Sequence, residues 1–243
     1  HLVQWRIGAC LSQGRAQTKS AVSYKNPVVD IAMPDPTVVK AADGYFYVYA
    51  TESTRNVPIM KSKDLVEWTY CNTAFTNKTR PRFEPKAGIW APDINYINGK
   101  YVLYYAMSVW GGEQTCGIGV ATANSPQGPF TDHGKMFRSN EIGVQNSIDP
   151  SFLQYEGRNY LVWGSFRGIY VIELTADGLS IMPGAKKKRI AGTAFEAVYI
   201  HKHGDYYYMF ASIGSCCQGV KSTYKVVVGR SKKVWGPYKD KTG

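Results

Sequence analysis

One module occurs four times along the chain, and this repeat limits the possible folds more than any other feature. Residues 35–44 lead into the aromatic run 45–50, and residues 93–99 lead into 100–106. Residues 149–157 then lead into 158–164, and 196–204 into 205–211. Each module holds a short β-branched or aromatic run, a Gly turn and a second aromatic run, the pattern of a hairpin. Further strands are expected at 58–61, 117–122, 168–173 and 224–230. A Gly-Pro-aromatic turn follows two of them, at 128–130 and 236–238, and residues 64–68 hold the comparable place in the first module. The repeat is therefore a three- to four-stranded sheet with a period of roughly 50 residues, as in a propeller blade. The fold class is all-β. Radial repetition aims the innermost strands at one axis and resolves the exposed-edge problem of isolated sheets.

Each module opens with an acid: Asp35, Asp93, Asp149 and Glu196. An Asp before Pro is ordinarily a turn residue. Four acids at one phase of a repeat mean more, because a turn role alone does not bring them all to the same edge of an inner strand. Convergent acids suit glycoside hydrolysis with inversion, which uses a carboxylate to activate water and a protonated carboxyl to protonate the leaving oxygen. A third carboxylate helps to keep the proton on the acid. Small and apolar neighbours at 192–200 make Glu196 the expected acid. Asp35, between Pro34 and Pro36, has the stiff backbone that suits a base holding a water.

Sugars also need flat apolar platforms and hydrogen-bonding groups. Trp90, Trp110, Phe166 and Tyr199 can supply the first, Asn146 and Ser165 the second. No metal cluster is expected: His201 and His203 alternate in a strand-like run and are taken to face opposite sides, and His133 reads as a turn residue.

The remaining features bound the class. The 243 residues suffice for one domain with a full core. Residues 1–25 are expected to be an N-terminal arm, with Arg6 interrupting any leader-like apolar run, and 26–243 the propeller domain. No apolar run is long enough for a membrane-spanning helix. The net charge of +11 comes without any helix-turn-helix, zinc-finger or RNP-like pattern, so no nucleic-acid partner is expected. The basic run 186–189 reads as a solvated loop; attraction to an acidic polymer such as pectin beside the true substrate is a secondary reading. Five cysteines are an odd number without zinc-ligand spacing, and Cys216 and Cys217 read as small, partly buried thiols, with a strained redox pair as the alternative.

Several segments together resemble glycoside hydrolase family 43, and within it the endo-1,5-α-L-arabinanases. They are residues 34–39, 90–101, 147–150, 164–166, 195–197 and 216–224, with 229–231 and 236–238. The resemblance runs from about Asn26 to the C-terminus. It implies that Asp35 is the general base, Glu196 the general acid and Asp149 the carboxylate that raises the acid's pKa and orients it. It implies further that Asp93 orders the site and Trp90 touches substrate. A five-bladed propeller, arabinan as substrate, a monomer, and a secreted or periplasmic location are also implied. No cofactor is implied for the chemistry, although a central structural ion such as calcium is, held partly by a His of the fifth blade. Two departures stand out: Pro34 replaces a His common before the base, and the chain stops just after its fourth repeat, so the fifth blade is expected to be truncated. Alternatives within the class are an exo-acting α-L-arabinofuranosidase or β-xylosidase. Outside it stand a non-catalytic carbohydrate-binding propeller and, more remotely, a basic propeller that binds nucleic acid.

Overall fold

A computed structural model describes residues 23–243, and most of the expected N-terminal arm, with Cys10, lies outside the described residues. The described residues form four antiparallel sheets in chain order, each a blade. Blade 1 holds β1 (Thr37–Lys40), β2 (Phe46–Tyr49), β3 (Pro58–Ser62) and β4 (Thr69–Thr73). Blade 2 holds β5 (Gly88–Ile97), β6 (Lys100–Ser108), β7 (Gly117–Ala123) and β8 (Thr131–Arg138), followed by the one-turn helix α1 (Ser139–Ile142). Blade 3 comprises β9 (Ser151–Tyr155), β10 (Arg158–Trp163), β11 (Ile169–Leu174) and β12 (Lys188–Ala191). Blade 4 comprises β13 (Glu196–His203), β14 (Tyr206–Ile213) and β15 (Lys225–Ser231).

The expected hairpins and third strands are all present. Asn98-Gly99 and Glu156-Gly157 turn two of the hairpins with positive φ at both residues, the geometry that matches strand twist in a two-residue turn. Lys188 and Arg189 of the basic run belong to β12 rather than to a loop. Their exposed charges guard the outer edge of blade 3 against pairing with another chain.

The core lies between blades. In β6, Leu103, Tyr105 and Met107 pack toward blade 1 with Tyr49, Ile59 and Phe75. The alternate residues Val102 and Tyr104 pack toward blade 3 with Leu161 and Trp163. A strand clamped on both faces therefore reads as one continuous apolar run. Blade 3 meets blade 4 through Val162, Val171, Val198, Ile200 and Met209. Blade 4 is packed on one face only, and Phe210, Val226 and Val228 of the other face are exposed.

The inner strands deliver the site. β1 contacts β5, β5 contacts β9, and β13 contacts both β9 and β10, so the start of each inner strand arrives at one shared rim.

Candidate active site

A non-glycine residue with left-handed backbone stands at the entry of every inner strand: Asp35 (φ 51°), Ala91 (φ 40°), Asp149 (φ 58°) and Ala197 (φ 51°). Such a conformation costs about 1–3 kcal/mol and persists where the surroundings enforce it. This recurrence corrects the expected phase of the acids. Asp35 and Asp149 occupy the strained step itself, whereas Asp93 lies two residues beyond it and Glu196 one residue before it. Register irregularities between Trp90 and Asp93 and between Glu196 and Tyr199 accommodate those offsets, as bulges that re-aim a side chain do.

A cavity of about 610 Å³ is lined by Asp35, Asp93, Asp149, Tyr199, Ser212 and Tyr224, among others. A larger one of about 790 Å³ lies against blade 1 under residues 26–36, but no titratable side chain lines it. The cavity with the acids is therefore the chemical site.

Asp35, from blade 1, is exposed at the mouth, as a base that must reach water should be. Thr51 Oγ1 donates to Asp35 Oδ2 at 2.5 Å and accepts from the Ala91 N–H at 2.7 Å, so one hydroxyl ties the acid to the strained step of blade 2.

Glu196, from blade 4, is buried at 9% exposure. Ser165 Oγ donates to its Oε2 at 2.6 Å and Tyr224 Oη to its Oε1 at 2.7 Å. The expectation of an apolar wall is thus corrected: hydroxyls meet both oxygens. Asn146 Nδ2 in turn bonds Ser165 Oγ at 2.9 Å, so Asn146 and Ser165 are spent on holding Glu196.

Asp149, from blade 3, is the carboxyl that the site holds well above its ordinary pKa. Burial is the main cause, followed by the charges of Glu196 and Asp35, with the Ala197 N–H pulling the other way. The charges of Asp35 and Glu196 both oppose ionisation of Asp149. The raised pKa of Asp149 is the direction in which a carboxyl cluster holds a proton.

Asp93 sits where three blades meet. Its Oδ2 accepts from the Phe152 N–H at 2.8 Å and from Asn95 Nδ2 at 2.7 Å, and its Oδ1 accepts from Thr37 Oγ1 at 3.4 Å. Burial nevertheless pushes its pKa up to about 6. Trp90 packs close to Gly88, where an added Cβ would come within 2.6 Å of the indole Nε1. Its other contacts include Trp110 at 5.5 Å between ring centroids, and Trp110 is 78% exposed. Phe166 lines a second concavity, together with Trp110. Tyr199 is half-exposed in the first cavity.

Thr51 and Tyr224 escaped the reading of the residues. Tyr224 stands in a segment that carried the resemblance, but nothing local marks it as the partner of an acid 28 residues earlier. Cys216 and Cys217, expected as thiols, form a disulfide with each other. His201 and His203 share one face of β13, because residues two apart in a strand point the same way; the expectation of opposite faces is corrected. Neither joins an ion site: no three His, Cys, Asp or Glu side chains among the described residues form one. Hydroxyls and backbone N–H groups meet Asp35, Asp93 and Glu196 instead.

The sequence profile described as Glycosyl hydrolases family 43 matches residues 24–243. The chain is 38% identical over 223 residues to the extracellular endo-α-(1→5)-L-arabinanase 1 of Bacillus subtilis, covering 86% of this chain and 68% of that protein. It is 37% identical over 238 residues to the extracellular exo-α-(1→5)-L-arabinofuranosidase ArbA of Cellvibrio japonicus, covering 86% and 67%. A solved structure of the Cellvibrio cellulosa α-L-arabinanase complexed with arabinohexaose superposes at a TM-score of 0.78, with 33% identity, 88% of this chain and 75% of that one covered. A propeller that repeats strained acids at its rim and this match along nearly all of its described length place the chain in glycosyl hydrolases family 43.

Proposed function

We propose that this chain hydrolyses internal α-1,5-L-arabinofuranosyl bonds of arabinan with inversion, as a monomer whose catalytic domain is 26–243. The observation that carries the reading is that Asp35 of blade 1 and Asp149 of blade 3 line one cavity, and that the charges of both Asp35 and Glu196, from blade 4, bear on Asp149. Asp35 takes a proton from a water that attacks the anomeric carbon. As that C–O bond breaks, Glu196 gives its proton to the departing oxygen of the next sugar. Tyr224 and Ser165 fix both oxygens of Glu196 so that its proton meets the leaving oxygen in one geometry. Asp149 keeps the proton on the cluster. Only carboxyls and water take part in these steps.

The endo assignment is supported by the Bacillus subtilis relative and by a solved GH43 endo-arabinanase from Bacillus licheniformis at 33% identity. A second concavity lined by Phe166, the residue after the Glu196 partner Ser165, fits a chain bound along its length. The exo reading draws on the Cellvibrio japonicus relative. Two similar proteins named as extracellular, together with a disulfide, support a secreted location. Among the described residues no helix is long and apolar enough to cross a membrane.

Digestion of linear arabinan, followed over time by chain length, tests the reading. A spread of oligomers that shortens gradually is expected; a single short product from the first time point would establish exo action instead. Asp35→Asn and Glu196→Gln are each expected to lower the rate by about a hundred- to ten-thousand-fold. Rates within a few-fold of wild type for either variant would remove that residue from the mechanism.

A further inference from the structure

A buried ion pair between blades 1 and 2 takes no part in the hydrolysis steps. Arg80 Nη2 donates to Glu52 Oε1 at 2.7 Å and Arg80 Nη1 to Glu52 Oε2 at 3.0 Å, and the two side chains are only 5% and 8% exposed. The same carboxylate accepts from the Asn56 N–H at 2.7 Å and from the Ile89 N–H at 2.9 Å. Arg80 Nη1 also donates to Asn56 Oδ1 at 2.6 Å. Burial opposes ionisation of Glu52, but Arg80 and the two backbone N–H groups outweigh it and hold the carboxyl below its ordinary pKa. Withdrawing both charges from water costs much of what their attraction returns, so the pair is a weak source of net stability.

Its position points to another use. Glu52 follows Thr51 in the loop after β2, and the two residues grip blade 2 at neighbouring points. Glu52 N–H donates to Ile89 O at 3.1 Å, and the Ile89 N–H returns a bond to the carboxylate. Thr51 Oγ1 accepts from the Ala91 N–H at 2.7 Å and donates to Asp35 Oδ2 at 2.5 Å, while Thr51 N–H donates to Pro34 O at 2.9 Å. Asp35 itself is exposed on a left-handed backbone, and Thr51 is its one side-chain donor among the described residues. The base is thus placed by Thr51, and Thr51 by the neighbour that the ion pair anchors. Thr51, Glu52 and Arg80 all stand outside the cavity lining.

We propose that Thr51 is the positioning residue of the base and that the Glu52–Arg80 pair sets the rate through it. The inference rests on the reading of Asp35 as general base. With Oδ2 held by the Thr51 hydroxyl, Oδ1 is the oxygen left to take a proton from the attacking water. That water must lie in line with the bond that breaks, and a misplacement of about 1 Å costs roughly a hundredfold in rate. The ion pair touches neither water nor sugar; it keeps the loop from carrying Thr51 away from Asp35.

Four variants are compared with wild type for kcat and KM on linear arabinan: Thr51→Val, Thr51→Ser, Glu52→Gln and the double variant Thr51→Val/Glu52→Gln. Thr51→Val keeps the shape without the hydroxyl and is expected to lower kcat about 30- to 100-fold, with KM within about twofold of wild type. Thr51→Ser keeps the hydroxyl and should return kcat to within about fivefold of wild type. Glu52→Gln is expected to lower kcat about tenfold alone but less than about twofold in the Thr51→Val background, where the group it acts through is gone. A brace for the fold alone would cost the same factor in both backgrounds, and that result overturns the role of the pair. Should Glu52→Gln not fold, Arg80→Lys, which keeps the charge and loses the two-pronged contact, takes its place in the cycle. Equal losses for Thr51→Val and Thr51→Ser, a change confined to KM, or a Thr51→Val rate within about threefold of wild type would overturn the proposal. Asp35→Asn separates the two readings: a wild-type rate there defeats the base assignment, whereas its loss beside an active Thr51→Val defeats the positioning role alone.

Discussion

At the scale of single residues, the acids were legible and their holders were not. Asp35, Asp149 and Glu196 stand at module openings, where a repeat makes them visible. Thr51 follows β2, Ser165 follows β10 and Tyr224 precedes β15, and each reaches its acid only because the ring brings the start of one strand beside the end of another. The two acids on the strained step could be read as Asp-Pro; the strain at Ala91 and Ala197 could not, since neither residue type announces a left-handed backbone. Tyr224 carries a testable consequence. Burial is the main force pushing its phenol upward, with the Glu196 carboxylate adding to it and Ser212 opposing, so it remains a donor across the working pH range. Tyr224→Phe removes one of the two hydroxyl donors to Glu196 and is expected to lower kcat by about 10- to 100-fold, matching a hydrogen bond to a charged group of about 1.5–3 kcal/mol. Steady-state kinetics on linear arabinan check this, and a kcat within twofold of wild type would show that Ser165 alone suffices.

At the scale of strands, the period-2 logic of the sheets accounts for what was found and for one miss. β6 serves two cores at once, its odd residues facing blade 1 and its even residues blade 3, which is why its near-unbroken apolar run reads so clearly as a strand. The same rule places His201 and His203 on one face of β13, against the expectation of opposite faces. Close packing sets a sharp demand at Gly119 in β7. A Cβ there would lie 2.3 Å from the hydroxyl of Tyr105, whose ring is wholly buried between blades 1 and 2 and whose Oη donates to Asp132 Oδ1 at 2.6 Å. Gly119→Ala is expected to cost about 1–3 kcal/mol through overpacking. The urea midpoint of unfolding reports it, and an unchanged midpoint would mean that Tyr105 repacks freely.

At the scale of the whole molecule, the axis is where stability and chemistry meet. Asp93 joins blades 1, 2 and 3, yet burial lifts its pKa to about 6 from an ordinary 3.8. A carboxyl raised by folding holds more protons in the native than in the unfolded state, so its contribution to stability is fullest below about pH 4 and is lost as the pH rises through about 6. Asp149 is displaced in the same direction. Wild type is therefore expected to lose part of its urea resistance between about pH 4 and pH 7, and Asp93→Asn to lose less; equal slopes for the two proteins would deny Asp93 this role. Blade count was legible as four modules, and the described residues form four blades. Which faces of those blades meet, and hence which side chains share the rim, depended on ring geometry that no single module encodes. That geometry brings Asp35 of blade 1 and Glu196 of blade 4, the proposed base and acid, to either side of Asp149, and the stereochemistry of the product tests those roles directly. Proton NMR of the first sugar released from linear α-arabinan is expected to show the β-anomer at early times, before mutarotation, as a water guided by Asp35 demands. First appearance of the α-anomer would contradict the account, because retention requires a covalent intermediate for which these separated roles leave no nucleophile.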